Sequence, residues 1–146
     1  MTIYLDNSFL NRPFDNPDTR INKLEAEVLF LIIDLADKGE IQLTNSSVIE
    51  YENSLNPFPE RKKFVEKILS QIRLYQNVND QIEIRASNLV QAMKISPIDA
   101  LHLATGEHMV VDFFITCDYN LIKKYKGKLK VIKPLDFLKL YENTNN

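Results

Sequence analysis

Glycine is scarce in this sequence: Gly39, Gly106 and Gly127 are the only three. None lies in a G-x-G-x-x-G, a G-x-x-x-x-G-K-[ST] loop or a G-x-S-x-G elbow, which argues against dinucleotide binding, P-loop nucleotide binding and α/β-hydrolase chemistry. Cysteine is scarcer. Cys117 stands alone, so no internal disulfide is possible and a reducing cytoplasm is expected. The two histidines, His102 and His108, are six positions apart and do not share a helix face, which leaves no zinc pair. No apolar run approaches the roughly 20 residues that span a bilayer. The first residues show neither a basic n-region nor a cleavage site, so neither a membrane nor an exported location is expected. Repeats, low-complexity tracts and Gly/Ser linkers are missing as well.

What is present is ordinary for a folded domain: 146 residues, 45% hydrophobic and 26% charged, with a net charge of −2. One domain over residues 1–142 is expected, with 143–146 as a loose tail. Thr2 to Leu5 reads as an apolar strand with no polar alternation, which suits the centre of a parallel sheet. Asp18 or Thr19 opens a long helix to about Lys38, with Ile21, Leu24, Val28, Leu31, Ile32 and Leu35 at helical spacing and Gly39 as its stop. Ile41 to Thr44 is a second strand. Ser46 or Ser47 opens a helix that Asn56-Pro57-Phe58-Pro59 breaks, and a basic helix follows from about Glu60 to Ile72. Leu74 to Val78 is a weak strand, and Asp80-Gln-Ile-Glu83 caps a helix to about Met93. Ser96-Pro97 starts the next helix. Asp112 to Thr116 is an apolar strand, Tyr119 to Tyr125 a short helix and Lys130 to Ile132 a last strand, with a terminal helix from Pro134. Strands alternating with helices imply crossover connections, hence a three-layer α/β/α sandwich around a central parallel sheet.

Acidic residues recur at the junctions of these elements. Asp6 follows the first strand, Asp99 opens a helix and Asp118 follows the Phe113 to Thr116 strand. Each has a structural reading too: Asp6 and Asp118 as helix caps, Asp99 as the partner of Ser96 in a capping box. A fourth acid belongs to the helix after the second strand, where Glu50 and Glu52 compete. Helix phase puts Glu52 with Val48, Ile49 and Leu55 on the inward side, and Glu50 with Ser46, Ser47, Asn53 and Ser54 on the wet side. A carboxylate on an apolar face needs a partner or a metal, which favours Glu52. Four clustered acids repel one another unless a cation sits among them, and an oxygen-only donor set suits Mg²⁺ or Mn²⁺. Such an ion activates water and stabilises charge on a phosphodiester, so phosphodiester hydrolysis is the chemistry that needs this set.

Three segments, Tyr4-Leu5-Asp6-Asn7-Ser8, Ser96-Pro97-Ile98-Asp99-Ala100-Leu101-His102-Leu103-Ala104 and Ile115-Thr116-Cys117-Asp118, resemble the hallmarks of PIN domains. The Ser46-to-Glu52 spacing is similar to that family's second acidic motif. The likeness runs in order from about residue 2 to residue 133. It implies a sheet ordered 3-2-1-4-5 and metal-dependent endoribonuclease activity, with the virulence-associated-protein C toxins as the best-known small members. It also implies Asp6, Glu52, Asp99 and Asp118 as catalytic and metal-binding acids, supported by Thr116 and by Ser8. A protein antitoxin and a homodimer formed through the helices flanking the sheet follow from the same resemblance. Asn11-Arg12-Pro13-Phe14-Asp15 departs from the usual toxin sequence and looks like a separate single-domain subgroup.

Arg12, close to Asp6, is the preferred phosphate contact for an RNA substrate. Lys123, Lys124, Lys126, Lys128 and Lys130 are either further phosphate contacts or a solvated surface, and Arg61, Lys62, Lys63 and Lys67 read the same way. His102, one turn after Asp99, either leans toward substrate or is a packed, hydrogen-bonded helix residue. Cys117 alternates away from the acidic side, toward the core. Two functions follow: an Mg²⁺- or Mn²⁺-dependent endoribonuclease, the toxin of a toxin–antitoxin pair, or a catalytically weak module that binds RNA or protein.

Overall fold

The structure, a computed structural model, describes residues 1–145, the side chain of residue 145 excepted. Five strands form one all-parallel sheet: β1 (Thr2–Leu5), β2 (Gln42–Ser46), β3 (Leu74–Gln76), β4 (Phe113–Ile115) and β5 (Val131–Ile132). Their order is β3-β2-β1-β4-β5, as the resemblance implies. The apolar β1 is the central strand, and Ile3, Tyr4 and Leu5 are buried. Leu74 and Tyr75 on β3 stay half-exposed, as expected of an edge.

The helices are α1 (Asn7–Leu10), α2 (Arg20–Asp37), α3 (Ser47–Ser54), α4 (Pro59–Leu69), α5 (Asp80–Met93), α6 (Pro97–Met109), α7 (Tyr119–Lys124) and α8 (Pro134–Asn145), with a 3-10 turn at Arg12–Phe14. Helix α8 carries regular structure through 143–145, where the sequence suggests a tail; residue 146 lies outside the described residues. Neighbouring strand residues point to opposite faces of a sheet, which identifies the layers. Phe113 meets Phe137 of α8, whereas Phe114 stacks on Tyr4, and Tyr4 meets His102 of α6. So α8, with α2 against it, covers one face, and α6, with α3 and α5, covers the other. Among the described residues no helix is long and apolar enough to cross a membrane.

The cap of α5 shifts by one position, from Asp80 to Asn79, whose side chain accepts from the Ile82 N–H; of the two expected caps of α3 it is Ser46 that accepts from the Ile49 N–H. On α2 the inward stripe is Glu25, Val28, Leu29, Ile32 and Leu35, while Ile21 and Leu24 face outward. Helix α6 ends on Val110 at φ 55°, a left-handed position that glycine or asparagine usually fills, and Val110 is 79% exposed. A β-branched residue is strained there and gains nothing from burial, so Val110→Gly should raise stability by about 1 kcal/mol, roughly 3 °C in thermal melts.

Candidate active site

Period-two geometry begins the site. Asp6 and Thr116 continue β1 and β4 on the side that Tyr4 and Phe114 face, and the register Tyr4↔Phe114 sets them abreast. Thr116 Oγ1 donates to Asp6 Oδ2 at 2.7 Å and Ser8 Oγ donates to the same oxygen at 2.8 Å. The other oxygen, Oδ1, accepts from the Asn7 backbone N–H at 2.9 Å and caps α1. Ser8 Oγ and Thr116 Oγ1 also take the N–H groups of Cys117 and Asp118, which pins the loop after β4 to the one after β1. Asp118 Oδ1 caps α7 through the Asn120 and Leu121 N–H groups at 3.1 Å each. The capping readings of Asp6 and Asp118 are therefore correct as far as one oxygen of each goes, and they do not stop either residue from facing the cleft.

Asp6, Ser8, Glu52, Asp99 and Asp118 line one open cleft of about 590 Å³ at the C-terminal ends of the strands, where open α/β sheets bind ligands. Glu50 is elsewhere, accepting from Tyr75 Oη at 2.8 Å and from Asn45 Nδ2 at 3.4 Å. Glu52 is thus the acid that α3 brings to the cleft; Asp15 also lines it but is paired with Arg12 and Arg61. Near the end of α3 two residues depart from the expected helix phase. Asn53, assigned to the wet side, is buried and donates to the Lys62 carbonyl, while Leu55 is exposed.

The charges interact. Burial raises the Asp99 pKa, and the negative charges of Asp6 and Asp118 push it further; a hydrogen bond with Ser96 and the proximity of His102 only partly oppose this. Glu52 moves the other way. Burial would raise its pKa, but hydrogen bonds with His102 and Asn7, together with the charge of His102, bring it below the usual value. Side-chain ligand atoms of Asp6, Glu52 and His102 lie within 4.8 Å of one another. The buried Asn7 Oδ1, in the wall of the same cleft, has no hydrogen-bond partner among the described residues. A carboxylate whose pKa is raised by the charges of its acidic neighbours, beside a spare amide oxygen, fits a hard divalent cation.

His102 is fully buried. Its Nε2 is 2.8 Å from Glu52 Oε1 and its Nδ1 2.7 Å from Tyr4 Oη, so it is a hydrogen-bonded helix residue that nevertheless reaches a cleft acid. Burial lowers its pKa, but the hydrogen bond to Glu52 and the charges of Asp6, Glu52 and Asp99 bring it above the ordinary value. His108 is exposed and lies near Asn79.

Arg12 lines the cleft, but its guanidinium is engaged. Nε donates to Glu25 Oε1 at 3.0 Å and Nη1 to Asp15 Oδ2 at 2.8 Å. Glu25 is fully buried and also accepts from Tyr119 Oη at 3.1 Å. Sequence reasoning passed over Glu25, although its place in the inward stripe of α2 was the signal. Cys117 is turned to this side and buried; burial first, then the Glu25 charge, pushes its thiol pKa up, so it stays protonated. Of the lysine cluster, Lys128 and Lys130 gather with Met1 and Asp112 at the opposite, N-terminal ends of the strands, and Lys130 Nζ sits over the Phe113 ring. Arg61 donates to the Phe14 carbonyl and packs on the Phe58 ring.

Comparison with known proteins agrees with this architecture. Solved structures of similar fold include VapBC from Salmonella typhimurium bound to DNA, with TM-score 0.63 and 13% identity over 92% of this chain and 98% of that one. A toxin–antitoxin complex from Klebsiella pneumoniae gives TM-score 0.58 and 20% identity over 90% and 97%. VapC20 from Mycobacterium tuberculosis, a sarcin-ricin-loop-cleaving toxin, gives 0.58 and 16% over 83% and 93%. At such identities the likeness is one of fold. No curated protein sequence matches. The PIN domain family model, by contrast, matches residues 3–128. A match of that extent, over all four cleft acids, means that the chain belongs to the PIN-domain family.

Proposed function

We propose that this protein is a divalent-metal-dependent endoribonuclease that hydrolyses RNA phosphodiester bonds in the cytoplasm, with Asp6, Glu52, Asp99 and Asp118 as its catalytic acids. The observation that carries the reading is the convergence of these four carboxylates, from four separate segments, on one cleft in which Asp6 and Asp118 raise the pKa of Asp99. A binding module has no need to keep mutually repelling acids together. Mg²⁺ or Mn²⁺ held by these acids would activate water and offset charge on the phosphodiester. Thr116 and Ser8 fix the orientation of Asp6. Asp118 is held by the first turn of α7 and Glu52 by His102, so the acids are oriented before any substrate arrives. A solved neighbour that is a toxin–antitoxin complex supports a further role as the toxin of such a pair with a protein antitoxin as partner; a homodimer is the assembled form that the family resemblance implies.

Incubating the purified protein with total RNA tests this. Cleavage should appear with Mn²⁺ or Mg²⁺, stop in excess EDTA and be absent from Asp6→Asn. Cleavage that is unchanged in EDTA would exclude the mechanism. A protein that cuts no RNA with either metal would instead be a module that binds RNA or protein.

A further inference from the structure

The buried polar chain behind the cleft joins four elements. Ser46 Oγ, at the end of β2, accepts from the Ile49 N–H at 3.1 Å and lies 3.0 Å from Tyr4 Oη of β1. Tyr4 Oη lies 2.7 Å from His102 Nδ1 of α6, and His102 Nε2 lies 2.8 Å from Glu52 Oε1 of α3. Glu52 is ionised and can only accept, so Nε2 carries a proton toward it. Tyr4 Oη shares one proton with Nδ1 and another with Ser46 Oγ, in directions set by whether the ring is charged. In either state both ring nitrogens are committed to protein groups. The Tyr4 ring is stacked on Phe114 at 5.0 Å and meets the His102 ring edge-on at 5.7 Å, so neither ring is free to turn.

We propose that His102, locked by Tyr4, is a positioning residue that holds Glu52 by Oε1 and leaves Oε2 as the oxygen offered to a divalent cation in the cleft. This rests on the cation reading above and sharpens it: His102 lies among the potential ligand atoms but serves by orienting a ligand. A glutamate side chain free to rotate loses rotamer entropy on binding a cation, whereas one already held loses less. Partners that orient a ligating group in this way typically account for about ten- to a hundredfold in metal affinity.

Mn²⁺ titration of the purified full chain, followed by electron paramagnetic resonance and accompanied by thermal melts in EDTA, tests the proposal. Tyr4→Phe keeps the stacked ring and removes only the hydroxyl; it should weaken Mn²⁺ binding by about tenfold. His102→Leu should weaken it by about ten- to a hundredfold, and His102→Gln, which retains a donor toward Glu52, should recover most of that loss. The melts identify any variant that fails to fold, and if His102→Leu does, Tyr4→Phe decides. Wild-type affinity in Tyr4→Phe, or a loss in His102→Gln as large as in folded His102→Leu, would overturn the positioning role. Asp6→Asn separates the two claims. If wild type binds Mn²⁺, Asp6→Asn does not, and Tyr4→Phe binds as wild type, only the positioning role falls. If wild type binds none, or Asp6→Asn binds equally well, the cation reading falls and takes this proposal with it.

Discussion

Asp99→Asn is expected to make the metal-free protein melt at a higher temperature than wild type at pH 7, while cation-dependent RNA cleavage falls by about a thousandfold or more. The two effects share a cause. Burial and the charges of Asp6 and Asp118 raise the Asp99 pKa above its ordinary 3.8, so the folded protein holds that proton more tightly than the unfolded chain does. The resulting stability is fully present below the unfolded pKa and is lost as pH rises through the folded one. Asparagine mimics the protonated acid at every pH. In EDTA, the melting temperatures of wild type and variant should therefore converge toward pH 4 and separate as pH rises. Mn²⁺ should raise the wild-type melting temperature by mass action and leave that of the variant unchanged. Equal melting temperatures at pH 7 in EDTA would show that the acids do not burden one another, and the electrostatic case for a cation site would be lost.

Arg12→Ala should cost about 3–5 kcal/mol, roughly 10 °C in melting temperature, by leaving Glu25 as an uncompensated buried charge. Glu25 has no exposed side-chain surface and Arg12 only 18%, so water cannot take over the ion pair. The double variant Arg12→Ala/Glu25→Leu removes the charge together with its partner and should recover most of the loss. If Arg12 acted mainly as a phosphate contact, Arg12→Ala would instead weaken RNA binding and leave the melting temperature near wild type. Calorimetry or circular-dichroism melts of the three variants separate these outcomes. Recovery in the double variant would identify the pair with Glu25 as the main task of Arg12, with its place at the cleft edge a consequence.

The layers of the fold could be read from alternation of short apolar runs and amphipathic stretches, because periodicity reports burial directly. Strand order could not be derived that way and came from family resemblance. Glu52 could be chosen over Glu50 because helix phase is a local property, even though the same phase misplaced Asn53 and Leu55 near the helix end, where the chain turns into α4. The cap of α5 slipped by one residue to Asn79, and Ser46 could not be told from Ser47, because adjacent polar residues compete for the same N–H group and only backbone geometry selects one. His102 could be placed beside Asp99, but its bond to Tyr4 joins residues 98 apart in sequence, and nothing in either local pattern announces it. Glu25 was legible: an acid within an apolar stripe of α2 needs a buried partner, and Arg12 was available.

The bond between Thr116 and Asp6 spans 110 residues, and it forms only where β4 lies beside β1. A growing chain at the ribosome therefore carries no assembled acidic centre until Asp118 has emerged, and β4 must still fold back against the first strand before the four acids meet. A chain halted before that point, or one in which β4 is not yet docked, holds at most three of them, unassembled.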